Sequence, residues 1–329
     1  MPPVKLEPRT STAVVAGGAG FVGFHVCEAL LARGRRVICV DSFLTGTETN
    51  AADLCRHEAF RLVRHDVTAP LALGEPVGVV YNLACAASPP HYQADPVHTM
   101  LTNVLGTSNL LALAEANGAR FVQASTSEVY GDPEQHPQQE GYVGHVNCTG
   151  SRACYDEGKR AAEALAFDYL RARRVDARVA RIFNTYGPRM RADDGRIVSN
   201  MIVQALEGRA MTIYGTGRQT RSFCYVSDLV RGLLALSDVP RPPSGPVNLG
   251  NPAEVSVLEL AHRVRDLLGN KAPIVHRPLP EDDPKRRRPD ISRAEAILGW
   301  TPAVPLERGL DLTIRWFAAR HGAGTAAAE

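Results

Sequence analysis

The chain has 329 residues, of which 44% are hydrophobic and 22% are charged, and its formal net charge is +2. This composition predicts a soluble globular protein with one large core or two unequal domains. The near-neutral charge gives no reason to expect nucleic acid or a membrane surface as a partner, and the apolar runs are too short for a transmembrane helix.

The first predicted elements are a strand, a glycine-rich turn and a helix. Residues 12–16 have the apolar character of a buried strand and run directly into Gly17-Gly18-Ala19-Gly20-Phe21-Val22-Gly23. This order is the context that a phosphate-binding glycine loop requires. Gly17 allows the tight turn, Gly20 lets the backbone approach a pyrophosphate, and Gly23 lets the helix pack close to the strand. The sequence therefore predicts a dinucleotide site at the helix N-terminus.

A second predicted strand, residues 37–40, ends at Asp41. An acidic residue at this distance from the glycine loop is the expected partner of the adenosine ribose. A carboxylate accepts hydrogen bonds from a 2′-hydroxyl and repels a 2′-phosphate. The cofactor is therefore predicted to be NAD rather than NADP.

Strands and helices continue to alternate beyond this point. The further predicted strands are residues 60–64, 77–83, 120–124 and 175–182, and the predicted helices are residues 96–117 and 154–173. This alternation predicts an α/β fold with a doubly wound parallel (Rossmann) sheet covered by helices on both faces.

The pattern of predicted strands and helices changes after Asn184, where glycine and proline residues divide the chain into shorter units. We interpret these units as a second, smaller and partly discontinuous α/β substrate domain. The predicted division assigns residues 1–184 and 222–252 to the NAD-binding domain. Residues 185–221 and 253–329 then form the domain that binds the substrate.

Tyr155 and Lys159 lie four residues apart in a predicted helix, so their side chains share one face. A free phenol has a pKa of about 10 and is a poor base at neutral pH. A nearby lysine charge and the positive nicotinamide of an oxidised cofactor favour the phenolate. Most such pairs are ordinary helix neighbours, and this pair indicates an active site only because the chain also has a dinucleotide loop. The hydroxyls and carboxylate of residues 125–128 follow a predicted strand, at the edge where ligands bind in such folds.

Several segments of the chain resemble one known family. They are residues 83–92 (LACAASPPHY), 125–133 (STSEVYGDP), 154–160 (CYDEGKR), 181–190 (RIFNTYGPRM), 194–200 (DGRIVSN), 219–223 (QTRSF) and 282–291 (DDPKRRRPDI). With these segments the chain resembles the extended short-chain dehydrogenase/reductase family, and within it the UDP-glucuronic acid decarboxylases (UDP-xylose synthases). Sugar-nucleotide 4,6-dehydratases of this family carry an Asp-Glu pair where this chain has Ser127-Glu128, and UDP-galactose 4-epimerases lack the glutamate.

The resemblance implies an NAD-dependent decarboxylation of UDP-glucuronate to UDP-xylose. The expected steps are oxidation at C4, loss of CO2 from the resulting β-keto acid, and reduction of the UDP-4-keto-pentose at C4. Tyr155 is the expected base and Lys159 its charged neighbour, with Thr126, Ser127 and Glu128 as further catalytic residues. Two roles stay open for Glu128: it is protonated and acts as the acid at C5, or it orders a water and disfavours the ground-state carboxylate. A purely structural role in the loop is the third reading.

The resemblance also assigns binding residues. For the cofactor they are Gly17, Gly20, Phe21, Val22, Gly23, Asp41, Ser42, Phe43, Thr45, Gly46, Asp66, Val67, Leu83, Ala84, Ala86, Asn103, Ser125, Tyr155 and Lys159. For the substrate they are Ser88, Ser127, Glu128, Asn184, Arg196, Tyr214, Arg221 and Arg287. The planar guanidinium groups of Arg221 and Arg287 suit phosphate.

Three other functions stay open at this point. An NAD-dependent 4-epimerase or 4,6-dehydratase would share the fold and cofactor but release no CO2. A decarboxylase that releases the keto-pentose and NADH would use the same residues. A non-catalytic NAD-binding protein would be expected to lack Tyr155 or Lys159, and both are present.

The remaining expectations concern assembly and location. The predicted helices 96–117 and 154–173 resemble those that form a four-helix seam in the family, which implies a homodimer. The seven cysteines are scattered, and residues 1–8 lack the apolar core of a secretion signal, so reduced thiols in the cytoplasm are expected. No histidine or cysteine spacing suggests a metal site.

Overall fold

The computed structural model describes residues 12–278 and 286–326. The strands are β1 (Thr12–Ala16), β2 (Arg36–Asp41), β3 (Phe60–Arg64), β4 (Val79–Asn82), β5 (Arg120–Thr126), β6 (Asp176–Ile182), β7 (Thr185–Tyr186), β8 (Met211–Tyr214), β9 (Thr220–Ser222), β10 (Cys224–Tyr225), β11 (Val247–Leu249), β12 (Glu254–Ser256), β13 (Ile274–Arg277) and β14 (Arg286–Arg287). The α-helices are α1 (Phe21–Ala32), α2 (Glu48–Leu54), α3 (Pro89–Tyr92), α4 (Pro96–Leu101), α5 (Thr107–Asn117), α6 (Ala153–Arg171), α7 (Ile197–Leu206), α8 (Val226–Asp238), α9 (Val257–Leu268), α10 (Ser292–Leu298) and α11 (Leu306–Ala326).

The main sheet has seven strands in the order β11-β6-β5-β4-β1-β2-β3, and every neighbouring pair is parallel. The strand order reverses between β1 and β4, which creates a crevice at the carboxyl ends of these two strands. The predicted doubly wound parallel sheet is confirmed. β11 was not predicted, because its three residues lie in a stretch rich in proline and glycine that gives no strand pattern.

Helices cover both faces of this sheet because its central strands are apolar on both sides. In β1, Ala13 and Val15 pack into one core cluster with α1 and α8, whereas Val14 and Ala16 pack into a second cluster with α5 and α6. The first cluster continues into the C-terminal part of the chain, where Ile213 and Leu260 belong to it. Among the described residues, no helix is both long and apolar enough to cross a lipid bilayer.

The predicted helix 96–117 is divided into three parts. α4 and α5 are joined by a π-helical segment, Thr102–Gly106, against which α6 packs closely. A Cβ atom on Gly158 of α6 would approach the Asn103 amide nitrogen to 2.9 Å, so the small residue permits this contact. Period-based prediction does not detect such a π segment, because it adds only a local irregularity to one helical turn.

Shorter sheets lie C-terminal to β6. β8 pairs with β13, β9 pairs with β12 and β14, and β7 pairs with β10. β9 carries Arg221 and β14 carries Arg287, and the two strands pair so that these arginines are register partners. The local topology therefore brings together two cations that are far apart in the sequence.

Candidate active site

One cavity of about 720 Å³ combines the glycine loop with the Tyr155–Lys159 pair. It lies at the carboxyl ends of β1, β2, β4 and β5, and residues of α7, β9 and β14 form its opposite wall. Ligands of open α/β sheets bind at this position. Its size suits a dinucleotide and a second ligand side by side better than a single small metabolite.

The glycine loop is shaped by close backbone contacts. Gly17 has a φ of +78°, and a Cβ atom there would lie 2.7 Å from the Leu83 carbonyl oxygen. A Cβ atom on Gly23 would clash with the carbonyl oxygen of Gly17. α1 begins at Phe21 without a side-chain cap. The first N–H groups of the helix therefore point toward the cavity, where they can donate hydrogen bonds to an anionic group.

Asp41 ends β2 beside this loop. Its carboxylate accepts hydrogen bonds from the Ala19 N–H at 2.9 Å and the Phe43 N–H at 2.8 Å. Burial raises the pKa of Asp41, and these two backbone hydrogen bonds oppose the rise. The carboxylate both holds the loop and lines the cavity, where a ribose hydroxyl could donate to it. The residues of this half of the cavity fit an NAD molecule.

Most of the residues expected to bind the cofactor line the cavity, but three do not. As far as the described residues define the lining, Phe43, Gly46 and Asn103 are absent from it. Phe43 and Gly46 pack around the Asp41 carboxylate, and Asn103 donates to the Cys85 sulfur and the Thr99 carbonyl. These three residues support the lining from behind, a distinction that a sequence motif does not make.

Ser125 has a different partner from the one expected. Its hydroxyl donates to the Glu163 carboxylate at 2.5 Å, and Arg181 donates to both oxygens of the same carboxylate at 2.9 and 2.8 Å. This buried group ties α6 to β5 and β6. The Ser125 side chain therefore serves the scaffold that carries Tyr155 and Lys159, although the residue still borders the cavity.

Tyr155 and Lys159 lie on the cavity face of α6, as their spacing predicts. The Lys159 ammonium lies 5.8 Å from the centroid of the Tyr155 ring and donates to the Ala124 carbonyl at 3.0 Å. Burial raises the pKa of Tyr155 and lowers that of Lys159. Desolvation is the largest cause of the raised Tyr155 pKa, and the expected phenolate depends also on the positive nicotinamide of a bound oxidised cofactor.

Tyr155 is also packed by a second tyrosine. The ring of Tyr92, in α3, stacks on it with a centroid distance of 4.9 Å and an interplanar angle of 6°. Tyr92 is 1% exposed and its hydroxyl has no hydrogen-bond partner among the described residues. The stacked ring excludes water from one face of the Tyr155 phenol and fixes its orientation.

Glu128 is enclosed by two arginines. Arg287 donates to both carboxylate oxygens at 2.5 and 2.8 Å, and Arg152 donates to one of them at 2.6 Å. Burial alone would raise the pKa of Glu128, but the charges of Arg287 and Arg152 outweigh it and the pKa lies below its usual range. Glu128 is therefore a carboxylate here, which argues against the reading in which it is the acid.

The other residues expected to bind the substrate line the far end of the cavity. They are Ser88, Ser127, Asn184, Arg196, Tyr214 and Arg221. Arg196 pairs with Asp194 at 2.5 Å, and the Ser88 hydroxyl lies 2.8 Å from His91 Nδ1. Asp66, which is among the residues expected to bind the cofactor, has its Oδ2 atom 2.7 Å from His98 Nε2. The motif residues 282–285 lie outside the described residues.

Sequence reasoning missed Arg152. It lies one residue before the first residue of α6, lines the cavity, and donates to the same Glu128 oxygen as Arg287 does. Its position three residues before Tyr155 was the available signal, but an arginine near a helix start is common. Only the fold shows that this arginine faces a carboxylate 24 residues earlier in the chain.

Comparison with known proteins places the chain in a family. The sequence profile of the NAD dependent epimerase/dehydratase family matches residues 13–250. UDP-glucuronic acid decarboxylase 1 of Danio rerio is 52% identical over 320 residues, which cover 96% of this chain and 75% of the relative. UDP-glucuronic acid decarboxylase 4 of Arabidopsis thaliana is 52% identical over 318 residues, which cover 97% of this chain and 71% of the relative.

A solved structure agrees with this placement. The UDP-glucuronic acid 4-epimerase of Bacillus cereus, in complex with UDP-glucuronic acid and NAD, superposes with a TM-score of 0.84 at 27% identity and covers 94% of this chain and 99% of its own. The chain therefore belongs to the NAD dependent epimerase/dehydratase family, on the branch of the UDP-glucuronic acid decarboxylases.

Proposed function

We propose that this chain converts UDP-glucuronate to UDP-xylose and CO2, with NAD as a recycled cofactor. The observation that carries the proposal is the array Arg152–Glu128–Arg287 in the same cavity as Tyr155, Lys159 and the glycine loop. The 52% identical relatives are named for this activity. Two cations and one anion leave a net positive charge that suits a sugar acid. An epimerase that acts on neutral sugars does not need this charge.

The first chemical step is the removal of the C4 hydroxyl proton. NAD, when bound, takes up a hydride from C4 of the sugar and later returns it. Tyr155 is the group placed to accept the hydroxyl proton, and a nearby positive charge is needed because burial raises its pKa. Lys159, fixed by the Ala124 carbonyl, supplies part of that charge from one side of the phenol.

Loss of CO2 follows from the ketone at C4. The carboxylate at C5 is then β to a carbonyl, so its departure leaves an enolate rather than an unstabilised carbanion. The phenol of Tyr155 and the hydroxyls of Thr126 and Ser127 border the cavity, where a donor to the developing oxyanion belongs. One such donor is typically worth ~3 kcal/mol.

Glu128 and the arginines act on the carboxylate of the substrate. An ionised Glu128 repels that group and at the same time fixes both guanidinium groups. Repulsion is strongest before CO2 departs, so this arrangement raises the energy of the starting carboxylate more than that of the neutral product. We assign to Glu128 this electrostatic role and the ordering of a water for protonation at C5.

The identity of the product tests the function. The purified protein is incubated with UDP-glucuronate and NAD+, and the nucleotide sugar is identified by mass spectrometry and proton NMR. UDP-xylose with release of CO2 is the expected result. A product that keeps all six sugar carbons would instead identify an epimerase or a dehydratase.

A decarboxylase that releases its intermediate is the second candidate, because the same residues perform the first two steps. It predicts one NADH for each UDP-4-keto-pentose, which absorbance at 340 nm detects directly. The expected outcome for this chain is no net NADH during turnover. Accumulation of NADH in proportion to CO2 would select the second candidate.

Two further proposals concern organisation. The first is that residues 1–184 and 222–252 form the NAD-binding domain and that residues 185–221 and 253–329 bind the UDP-sugar. Its support is that β1 to β6 and β11 share one sheet, whereas β8, β9 and β12 to β14 form separate ones. The second is a cytoplasmic location, supported by seven free cysteines.

We also propose that the chain assembles as a homodimer. Val97, Leu101 and Leu105 are spaced four residues apart along α4 and the π segment, and their exposed fractions are 67%, 40% and 45%. Such a stripe of large apolar side chains is typical of a surface that another chain covers. A second copy that adds its own α4 and α6 would form the expected four-helix seam.

A further inference from the structure

Asp156 is a buried carboxyl group that the mechanism above does not use. It follows Tyr155 in the first turn of α6 and is 7% exposed. Its Oδ1 atom is fully buried and accepts no hydrogen bond from any described residue. A buried carboxylate oxygen without a hydrogen bond is costly when the group is charged, so such a group favours its neutral form unless a cation reaches it.

The charges around Asp156 are those of the active site. Burial and then the charge of Glu128 raise its pKa to about 7, although the charges of Arg152 and Arg287 oppose this rise. Several described titratable and charged groups face Asp156. They are Arg152 just before α6, Tyr155 and Glu157 of α6, Glu128 of the turn after β5, Tyr92 of α3 and Arg287 of β14.

Arg152 lies between two carboxyl groups. It donates to Glu128 at 2.6 Å, and Asp156 lies four residues further along the chain, the spacing at which helical side chains form ion pairs. Arg152 borders the cavity, whereas Asp156 is not among the described residues that line it. Asp156 therefore acts on a ligand through its neighbours that line the cavity, and of the two arginines whose charges act on it, Arg152 is the nearer along the chain.

We propose that Asp156 is a positioning residue that controls entry of the sugar carboxylate. While Asp156 is protonated, Arg152 stays with Glu128 at the cavity. When Asp156 ionises, it attracts Arg152 along the helix, and binding of the acidic sugar weakens. This proposal rests on the proposed function, because it requires a substrate with a carboxylate. It adds a pH-dependent selectivity between acidic and neutral UDP-sugars.

The sign of the pH effect follows from linkage. The neutral form of Asp156 predominates below about pH 7 and the ionised form above it. If the acidic sugar binds only to the neutral form, its dissociation constant rises by up to about tenfold for each pH unit above that pKa. UDP-glucose carries the same UDP group without a carboxylate, so its affinity should change much less over the same range.

The test compares the two ligands by isothermal titration calorimetry between pH 6 and pH 9. The protein is saturated with NADH, so that neither sugar can be oxidised. In the wild type, the ratio of the dissociation constants for UDP-glucuronate and UDP-glucose should rise with pH. Asp156→Asn, which cannot ionise, should hold this ratio near its low-pH value. Glu157→Gln, which removes a neighbouring, partly buried charge but leaves Asp156 able to ionise, should keep the rise of this ratio with pH.

Each outcome bears on one proposal. A ratio that does not change with pH in the wild type overturns the role of Asp156, as does a ratio that rises equally in Asp156→Asn. If Asp156→Asn does not fold, Asp156→Ser provides the same uncharged test in a smaller side chain. Failure of UDP-glucuronate to bind the wild type at every pH would instead contradict the proposed function itself.

Discussion

Tyr155 occupies a position where burial and charge act in opposite directions. The ring is enclosed by Tyr92 and by the wall of the cavity, and this desolvation raises its pKa. A positive charge beside a phenol favours its ionised form. We therefore expect proton removal to depend on cofactor binding, because the oxidised nicotinamide adds its charge to that of Lys159.

Removal of the Tyr155 hydroxyl should stop catalysis without affecting the cofactor site. Tyr155→Phe keeps the stacked ring, so we expect the rate of UDP-xylose formation to fall by at least about 10²-fold, the usual contribution of a general base. NAD affinity, measured by calorimetry, should change little. Tyr169→Phe removes a phenol from the same helix outside the cavity and serves as the control. Wild-type rates in Tyr155→Phe would exclude this residue as the base.

At the scale of elements, the unit of β1, the glycine loop and α1 carries the cofactor half of the site. The loop lies between the end of β1 and the start of α1. A Cβ atom on its Gly17 would meet the Leu83 backbone, and its Ala19 N–H donates to Asp41. Side chains contribute little at these positions. The geometry is produced by the absence of Cβ atoms, so it is sensitive to the smallest substitution.

A methyl group on Gly23 should therefore separate α1 from β1. Gly23→Ala places a Cβ atom against the Gly17 carbonyl oxygen, and we expect destabilisation of about 1–3 kcal/mol together with weaker NAD binding. Thermal melts with and without NAD, and calorimetric titration of NAD, measure both effects. Gly74→Ala is the matched control, because a Cβ atom there has no neighbour within 4 Å. Equal NAD affinity in both variants would contradict this reading of the loop.

In the whole molecule, the helix that carries the catalytic pair packs against elements with an uncovered apolar surface. α6 places Tyr155 and Lys159 in the cavity, and it packs against α4 and the π segment. Val97, Leu101 and Leu105 lie on the outer side of that pair of elements. A dimer formed there would stabilise the helices on which the active site is built.

A charge within this stripe should prevent association. Leu105→Asp changes a side chain that is 45% exposed, so we expect the folded protomer to persist while the dimer dissociation constant rises by at least about tenfold. Analytical ultracentrifugation over a concentration series measures this shift. Leu267→Asp, at a residue of α9 that is 43% exposed, is the control and should not change the assembly. A monomeric wild-type protein would rule out the proposed seam.

The sequence alone determined the parallel sheet, the glycine loop, Asp41 and the Tyr155–Lys159 pair, because each depends on periodicity or spacing within a short stretch of chain. The partners of the charged and polar groups, in contrast, depend on the tertiary structure. Arg287 reaches Glu128 across 159 residues, and Ser125 bonds to Glu163 across 38. The choice of partner for a charged side chain, and its pKa, depend on which segments the fold brings together and how completely they exclude water. Local sequence patterns predict neither which segments meet nor how completely they exclude water.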